Sequence, residues 1–256
     1  MLSLILAAAI AAAQPPDARP VYHYERTNSD GTMGEDVVVF VEGEGRLSVM
    51  KARDRCTPAA YVTGRLDPDT GAPIELVGGR LTPQAEQAPF LWLRPVEGGG
   101  RIAIHEGTAD APPSAAVAVD SPWHIYDFDF ADLIAHPLAE IAKRAPFSFD
   151  LPLILMADGK PTLSNRGRLE LSRPVEVVRA GRRALRYRAA GPAFGDAKGY
   201  MWFDARSGVL VEAKLPLPNH SEYRDFHLTL VRTTRGAASW HARLAEHWQG
   251  CPTATE

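Results

Sequence analysis

Turn signals punctuate this chain about every ten residues from Val21 onward, a spacing that suits strands and leaves little room for helices. Asn28-Ser29-Asp30-Gly31 separates residues 21–27 from 35–41, and Gly43-Glu44-Gly45 turns into residues 46–51. Asp67-Pro68-Asp69-Thr70-Gly71 joins 61–66 to 73–77, and Gly98-Gly99-Gly100 separates 90–94 from 101–105. Asp158-Gly159 follows the apolar run 147–156, and Asp-Gly beside such a run signals a hairpin. Gly181 divides 175–178 from 184–187, and Asp204-Ala205-Arg206-Ser207-Gly208 links 200–203 to 209–214. The expectation is a mainly β, antiparallel chain.

Period-two patterning assigns faces to these strands. Phe147, Phe149, Leu151, Leu153 and Leu155 share one face; Phe226, Leu228 and Leu230 share another. Val209, Val211, Ala213, Leu215 and Leu217 form a third row opposite Glu212 and Lys214. Residues 37–41 are apolar on both faces, so that strand is expected to be central, with a helix over part of the sheet. Two helices are expected. In the first, Phe130, Leu133, Ile134, Pro137, Leu138 and Ile141 make one stripe, with Asp129 as N-cap, Asp132 three residues on, and a break at His136 before Pro137. The second spans 237–248, with Trp240, Leu244, His247 and Trp248 on its apolar side and Gly250 as a stop.

Residues 1–13 (MLSLILAAAIAAA) are too short to span a bilayer and suit a secretory signal, cleaved after Ala13. Residues 14–20 then read as a flexible mature N-terminus, and 21–256 as a single β-rich domain. No later segment is long and apolar enough for a membrane helix. Cys56 and Cys251 are the only cysteines, and in an exported protein an isolated pair reads as a disulfide tying the C-terminal tail to the N-terminal third. A formal charge of −3 and a pI near 6.3 argue against a nucleic-acid binder. Five of the 28 basic residues are Lys, an Arg excess spread along the chain and read as compositional bias.

No nucleophile elbow, zinc motif, phosphate loop or dinucleotide fingerprint is present, and no cofactor or metal is expected. The densest polar stretch is Trp123-His124-Ile125-Tyr126-Asp127-Phe128-Asp129-Phe130-Ala131-Asp132. Three acids and a histidine could serve acid–base chemistry or a cation. The simpler reading is a strand end leading into a capped helix, with acids favoured by the helix dipole. Arg179, Arg182, Arg183, Arg186 and Arg188 could contact an anionic surface, but their alternation with Leu185 and Tyr187 reads as the solvent face of a hairpin. His241 and His247, six apart on the expected helix, point different ways and are not a ligand pair, and His220 and His227 lack a sequence-local partner. Leu66-Asp67-x-x-Thr70-Gly71 and Phe203-Asp204-x-x-Ser207-Gly208 echo each other, as a duplication or, preferably, as two independent hairpins.

Residues 147–231 resemble an uncharacterised periplasmic β-rich family related to the lipoprotein-carrier, or half-barrel, fold. The features that carry the likeness are the apolar strand ending Ala157-Asp158-Gly159-Lys160, the hairpin 176–188, the run Tyr200-Met201-Trp202-Phe203-Asp204 continuing through Ser207-Gly208-Val209-Leu210-Val211, and a closing strand at 222–231. The resemblance implies a curved antiparallel sheet, an incomplete barrel, with helices in its concavity. The fold expected is therefore such a sheet with two short helices packed against it. The function expected is a non-catalytic periplasmic or secreted binding or carrier module for an apolar or lipid-like ligand, or a partner of lipid or lipoprotein in envelope maintenance. In a half-open sheet Phe149, Leu151 and Leu153, with Trp202 as a weaker candidate, would line the cavity. Two alternatives stand: a hydrolase using His124 with Asp127 or Asp129, and a structural interaction protein without a ligand.

Overall fold

The computed structural model describes residues 18–157 and 160–252. The signal sequence expected at 1–13, residues 14–17 of the mature N-terminus, and the Asp158-Gly159 turn lie outside the described residues. The strands run β1 (Pro20–Thr27), β2 (Glu35–Gly43), β3 (Arg46–Ala52), β4 (Ala60–Leu66), β5 (Pro73–Leu81), β6 (Gln87–Pro95), β7 (Arg101–Glu106) and β8 (Pro113–Ala118). Two short helices follow, α1 (Ala131–Ala135) and α2 (Ala139–Ala142). The chain then continues as β9 (Phe147–Ala157), β10 (Lys160–Leu171), β11 (Val175–Arg179), β12 (Arg182–Ala190), β13 (Gly199–Asp204), β14 (Leu210–Leu215), β15 (Phe226–Arg235) and α3 (Ala237–Trp248). The strands form one 15-stranded sheet in the order β8-β7-β6-β5-β4-β3-β2-β1-β15-β14-β13-β12-β10-β9, with β11 on β12. Every strand pairing in it is antiparallel.

The sheet does not close by a ladder between its end strands. The chain leaving β8 bridges them instead. His124 N donates to Asp150 O at 3.0 Å, Tyr126 N to Pro152 O at 2.9 Å, and Asp150 N to Pro122 O at 2.9 Å, so 122–126 covers the edge of β9. Asn165 Nδ2 reaches Ala118 O at 3.0 Å across the same seam. An edge covered in this way offers no free template for pairing with another chain.

From Trp123 the chain turns inward, and residues 123–142 fill the interior with Ile125, Tyr126, Phe128, Phe130, Leu133 and Ile134, all buried in the main core. The break expected at His136 is present, since α1 stops at Ala135 and α2 starts at Ala139. Two matching turns grip it. Asp67 Oδ1 accepts from Thr70 N and Oγ1, both at 2.8 Å, and Asp204 Oδ1 accepts from Ser207 N at 2.8 Å and Ser207 Oγ at 3.0 Å. A Cβ added at Gly71 would strike the His136 ring, and one at Gly208 would come within 3.1 Å of Pro137. Gly at both positions therefore serves close approach as well as positive φ.

The two apolar faces of β2 are both used. Val37 and Val39 belong to the main core, while Val38 and Phe40 meet Trp240 and Leu244 of α3 on the opposite face. Trp240 stacks on Phe40 at 5.9 Å and meets Tyr61 edge-on at 5.7 Å. The helices thus divide between the two faces, and among the described residues there are three, the expected first one being split at His136 into α1 and α2. A Cys56–Cys251 disulfide, with Cα atoms 5.4 Å apart, ties the end of α3 to the β3–β4 loop. By the chain-entropy model a loop of this length contributes up to about 5 kcal/mol.

Three further expectations change. Between Trp202 and Phe203 the β13–β14 register shifts, leaving Val211 as a bulge. Leu210 turns into the main core and Val211 joins Trp202 and Ala184 on the opposite face, so the row from Val209 to Leu217 is interrupted. Strand β8 appears where no strand was expected, and β10 is the partner strand that the Asp158-Gly159 hairpin signal implies, pairing antiparallel with β9. Asp129 does not cap α1: Asp129 and Phe130 both have positive φ, Phe130 holds the N-cap position, and no side chain caps it. The Asp129 carboxylate is drawn instead to a buried ammonium across the interior.

Candidate functional site

On β3 the alternation that sends Met50 toward α3 sends Leu47, Val49 and Lys51 inward. Lys51 is therefore a buried cation by register, and a buried charge needs partners. Its Nζ lies 2.7 Å from Asp129 Oδ2, donates to Asp127 O at 2.7 Å, and sits 2.8 Å from His220 Nε2. The ammonium thus has two hydrogen-bond partners and one carboxylate held as an ion pair. His220 must accept at Nε2 and is neutral; burial, with Lys51 and Arg26 nearby, holds it down to about 2. Burial also pulls on Lys51, but Asp129 and Glu35 outweigh it and carry the ammonium above its ordinary range.

Asn219 extends the network. Its Nδ2 donates to Asp129 Oδ1 at 2.7 Å and to Tyr126 O at 3.1 Å, and its Oδ1 accepts from Arg26 at 2.6 Å. The Arg26 guanidinium stacks 3.3 Å over the Tyr223 ring. Arg26, Asn219, Asp129, Lys51 and His220 form one chain of contacts linking β1, β3, the inner segment and the loop before β15. Such a network is stabilising only while every member is paired.

This network closes one end of a cavity of about 620 Å³. Val62, Leu76, Leu91 and Leu93 from β4–β6 form one wall, with Ile125 and Phe128 of the inner segment behind. Ile154, Leu155 and Met156 at the end of β9 complete it. Gly78 and Gly79 add no bulk where β5 passes the cavity. At the polar end stand Lys51, Asp127, Glu35, His220, Arg53 and Glu222. Asp127 Oδ1 accepts from Ile154 N at 3.2 Å, and burial pushes the carboxyl up to about 7 against the pull of Lys51. Burial likewise raises Glu35, whose Oε2 has a long contact with Tyr223 Oη at 3.4 Å. Arg53 pairs with Glu222 at 2.9 Å. The volume lies within the usual range for a small-molecule site, and an apolar body with a few polar groups at one end is the usual lining.

The residues singled out in the sequence separate. Phe149, Leu151 and Leu153 are fully packed in the main core and stand outside the cavity lining; residues 154–156 of the same strand reach it. Trp202 lies on the opposite face with Ala184 and Val211, 5.2 Å beneath Arg179. His124 is buried and its Nδ1 meets Asp132 Oδ2 at 2.9 Å, so it forms no pair with Asp127 or Asp129. The three acids of that stretch serve three different partners: Ile154 N, Lys51 and His124. A shared cation site does not arise from them. In the Arg-rich hairpin, Arg179 pairs with Glu212, Arg183 with Glu176, and Arg186 stacks over Tyr200, as a solvated face would. Lys51, Asn219 and Glu35 were not singled out in the sequence, because their partners come from distant strands.

Among the described residues no helix is long and apolar enough to cross a membrane. No protein-family model matches the chain, and comparison with curated proteins gives no match. Comparison with solved structures does give matches, among them the crystal structure of the hypothetical lipoprotein YmcC from Escherichia coli K12. That match has a TM-score of 0.36 and 8% identity, and covers 90% of this chain and 93% of the other.

Proposed function

We propose that this protein is a non-catalytic binding or carrier module of the bacterial envelope that takes an apolar or lipid-like ligand into the cavity between β4–β6 and the end of β9. The observation that carries the reading is the distribution of polarity around that space. Its body is walled by aliphatic side chains and glycine, and charge is confined to one end. A half-open recess of this kind leaves aliphatic surface in contact with water, and covering it with an apolar ligand is favourable. Export through the N-terminal segment 1–13 fits the Cys56–Cys251 disulfide, which persists in an oxidising compartment. In this reading Phe149, Leu151 and Leu153 support the inner segment from behind, and residues 154–156 face the ligand.

The test is native mass spectrometry of protein purified from its own envelope, paired with titration of an apolar fluorescent probe. A co-purifying lipid-like mass, or saturable probe binding, is the expected result. A clean apo mass together with no probe binding would overturn the carrier reading in favour of an interaction protein without a ligand.

A further inference from the structure

The polar end of the cavity shows which head group such a ligand carries; the argument rests on the binding role proposed above. We infer that the site is built for an amphiphile with a hydrogen-bond-donating, cationic head, above all a protonated primary amine, seated on the Asp127 carboxylate with its tail along Leu76, Leu91 and Leu93.

The cations on the wall are already engaged. Lys51 is ion-paired with Asp129 and donates to Asp127 O and His220, and Arg53 is held by Glu222. An anionic head would find no free ammonium there. The acceptors are less satisfied. The Asp127 carboxylate accepts only from backbone amides, that of Ile154 at 3.2 Å and its own, and no side-chain donor reaches it among the described residues. Among the described residues Glu35 has one hydrogen bond, the long contact from Tyr223 at 3.4 Å.

The balance of charge points the same way. Four acids line the cavity, Glu35, Asp54, Asp127 and Glu222, against two bases, Lys51 and Arg53. Asp129 lies directly behind Lys51 and Arg26 lies beyond Asn219. Arg53, Asp54 and Glu222 stand at the exposed mouth, while Asp127 and Glu35 lie deeper, and this excess of negative charge disfavours a carboxylate or phosphate and favours an ammonium. Asp127 sits where the two chemistries meet, hydrogen-bonded to the backbone of Ile154 and next to Phe128 and Ile125. An amine there would form a charge-assisted hydrogen bond while its alkyl chain covers the aliphatic wall. The raised Asp127 carboxyl is consistent with an anion that has too little cationic company until a ligand supplies it.

The test displaces a bound apolar fluorescent probe from the full chain at pH 8. The competitors are dodecylamine, dodecanol and sodium dodecanoate, each below its micelle-forming concentration. Dodecylamine is expected to bind at least about tenfold more tightly than dodecanoate, with dodecanol between them. Asp127→Asn keeps an acceptor for the Ile154 amide, so it is expected to fold. It should bring dodecylamine down to the level of dodecanol and leave dodecanol unchanged. Equal or tighter binding of dodecanoate, or an amine affinity that survives Asp127→Asn, overturns the head-group inference and leaves the binding role standing. Failure of the probe and all three competitors to bind overturns both.

Discussion

The inner segment 123–142 is packed by opposite means on its two sides. Toward the C-terminal strands it meets aromatic bulk. Tyr126 and Phe130 contact Phe226 at 5.2 and 5.7 Å, and Phe130 reaches Phe149 at 6.2 Å. The cluster continues through Phe147, Tyr187 and Phe203 at 5.3–6.3 Å. Toward the N-terminal strands the same segment meets Val62, Leu76, Leu91, Leu93 and two glycines, and a cavity remains. Strand count does not explain the difference, because both halves of the sheet reach the interior. Residue volume does: large rings fill the span from sheet to inner segment, while branched aliphatics and glycine stop short of it.

The largest expected effects test whether the filled side is filled and the network paired. Phe149→Ala removes a ring at the centre of the aromatic cluster and should lower unfolding free energy by about 3–5 kcal/mol in urea titration. Asp129→Ala should cost a similar amount, about 3–5 kcal/mol, because it strands the Lys51 ammonium in the interior. A loss near 1 kcal/mol would fit a helix cap instead and would contradict the ion pair. Leu151→Trp overpacks the same side and should cost about 1–3 kcal/mol while leaving probe binding intact. A smaller, pH-dependent effect sharpens the contrast at the cavity end. The folded Asp127 carboxyl, near 7, lies above its ordinary value of 3.8, so the folded state holds a proton that the unfolded chain has released between those values. Stability contributed by this group is intact below about pH 4 and falls as pH rises toward 7. Asp127→Asn should flatten that decline, so thermal melts of the variant should gain on the wild type at pH 8 and not at pH 4.

Legibility in the sequence followed from how local each signal was. Strands bounded by Gly and Asp turns were readable because the turn residues act within a few positions. Helix α3 was readable twice, from its own apolar stripe and from the two-faced run at 37–41 that needed a cover. Strand β8 escaped because Pro113-Ser114-Ala115-Ala116-Val117-Ala118 carries little β propensity. Strand β10 was signalled only by the Asp158-Gly159 hairpin and not by its own pattern, because Asn165, Gly167 and Arg168 interrupt its inward row at a register shift. Asp129 was misread because its spacing to Asp132 mimics a local cap, while its true partner is 78 positions earlier in the chain, at residue 51. Lys51 could have been found from the sequence, since it shares a period-two face with Leu47 and Val49, an inward row ending in a charge. The cavity could not, because it is a deficit of volume between elements far apart in sequence.

The central claim is that the N-terminal side is hollow in order to be occupied, and Gly78 tests it most directly. Gly78 pairs with Val62 on one neighbour and Leu91 on the other, both cavity-lining, and a Cβ there would make only ordinary contacts, the nearest 3.6 Å from Leu91. Melting and apolar-probe binding of Gly78→Leu should be measured together, against the wild type. The account predicts that the wild type binds the probe, that the variant melts within a few degrees of it, and that binding is lost because the new side chain occupies the space. A strongly destabilised variant, or one that binds as the wild type does, would contradict it.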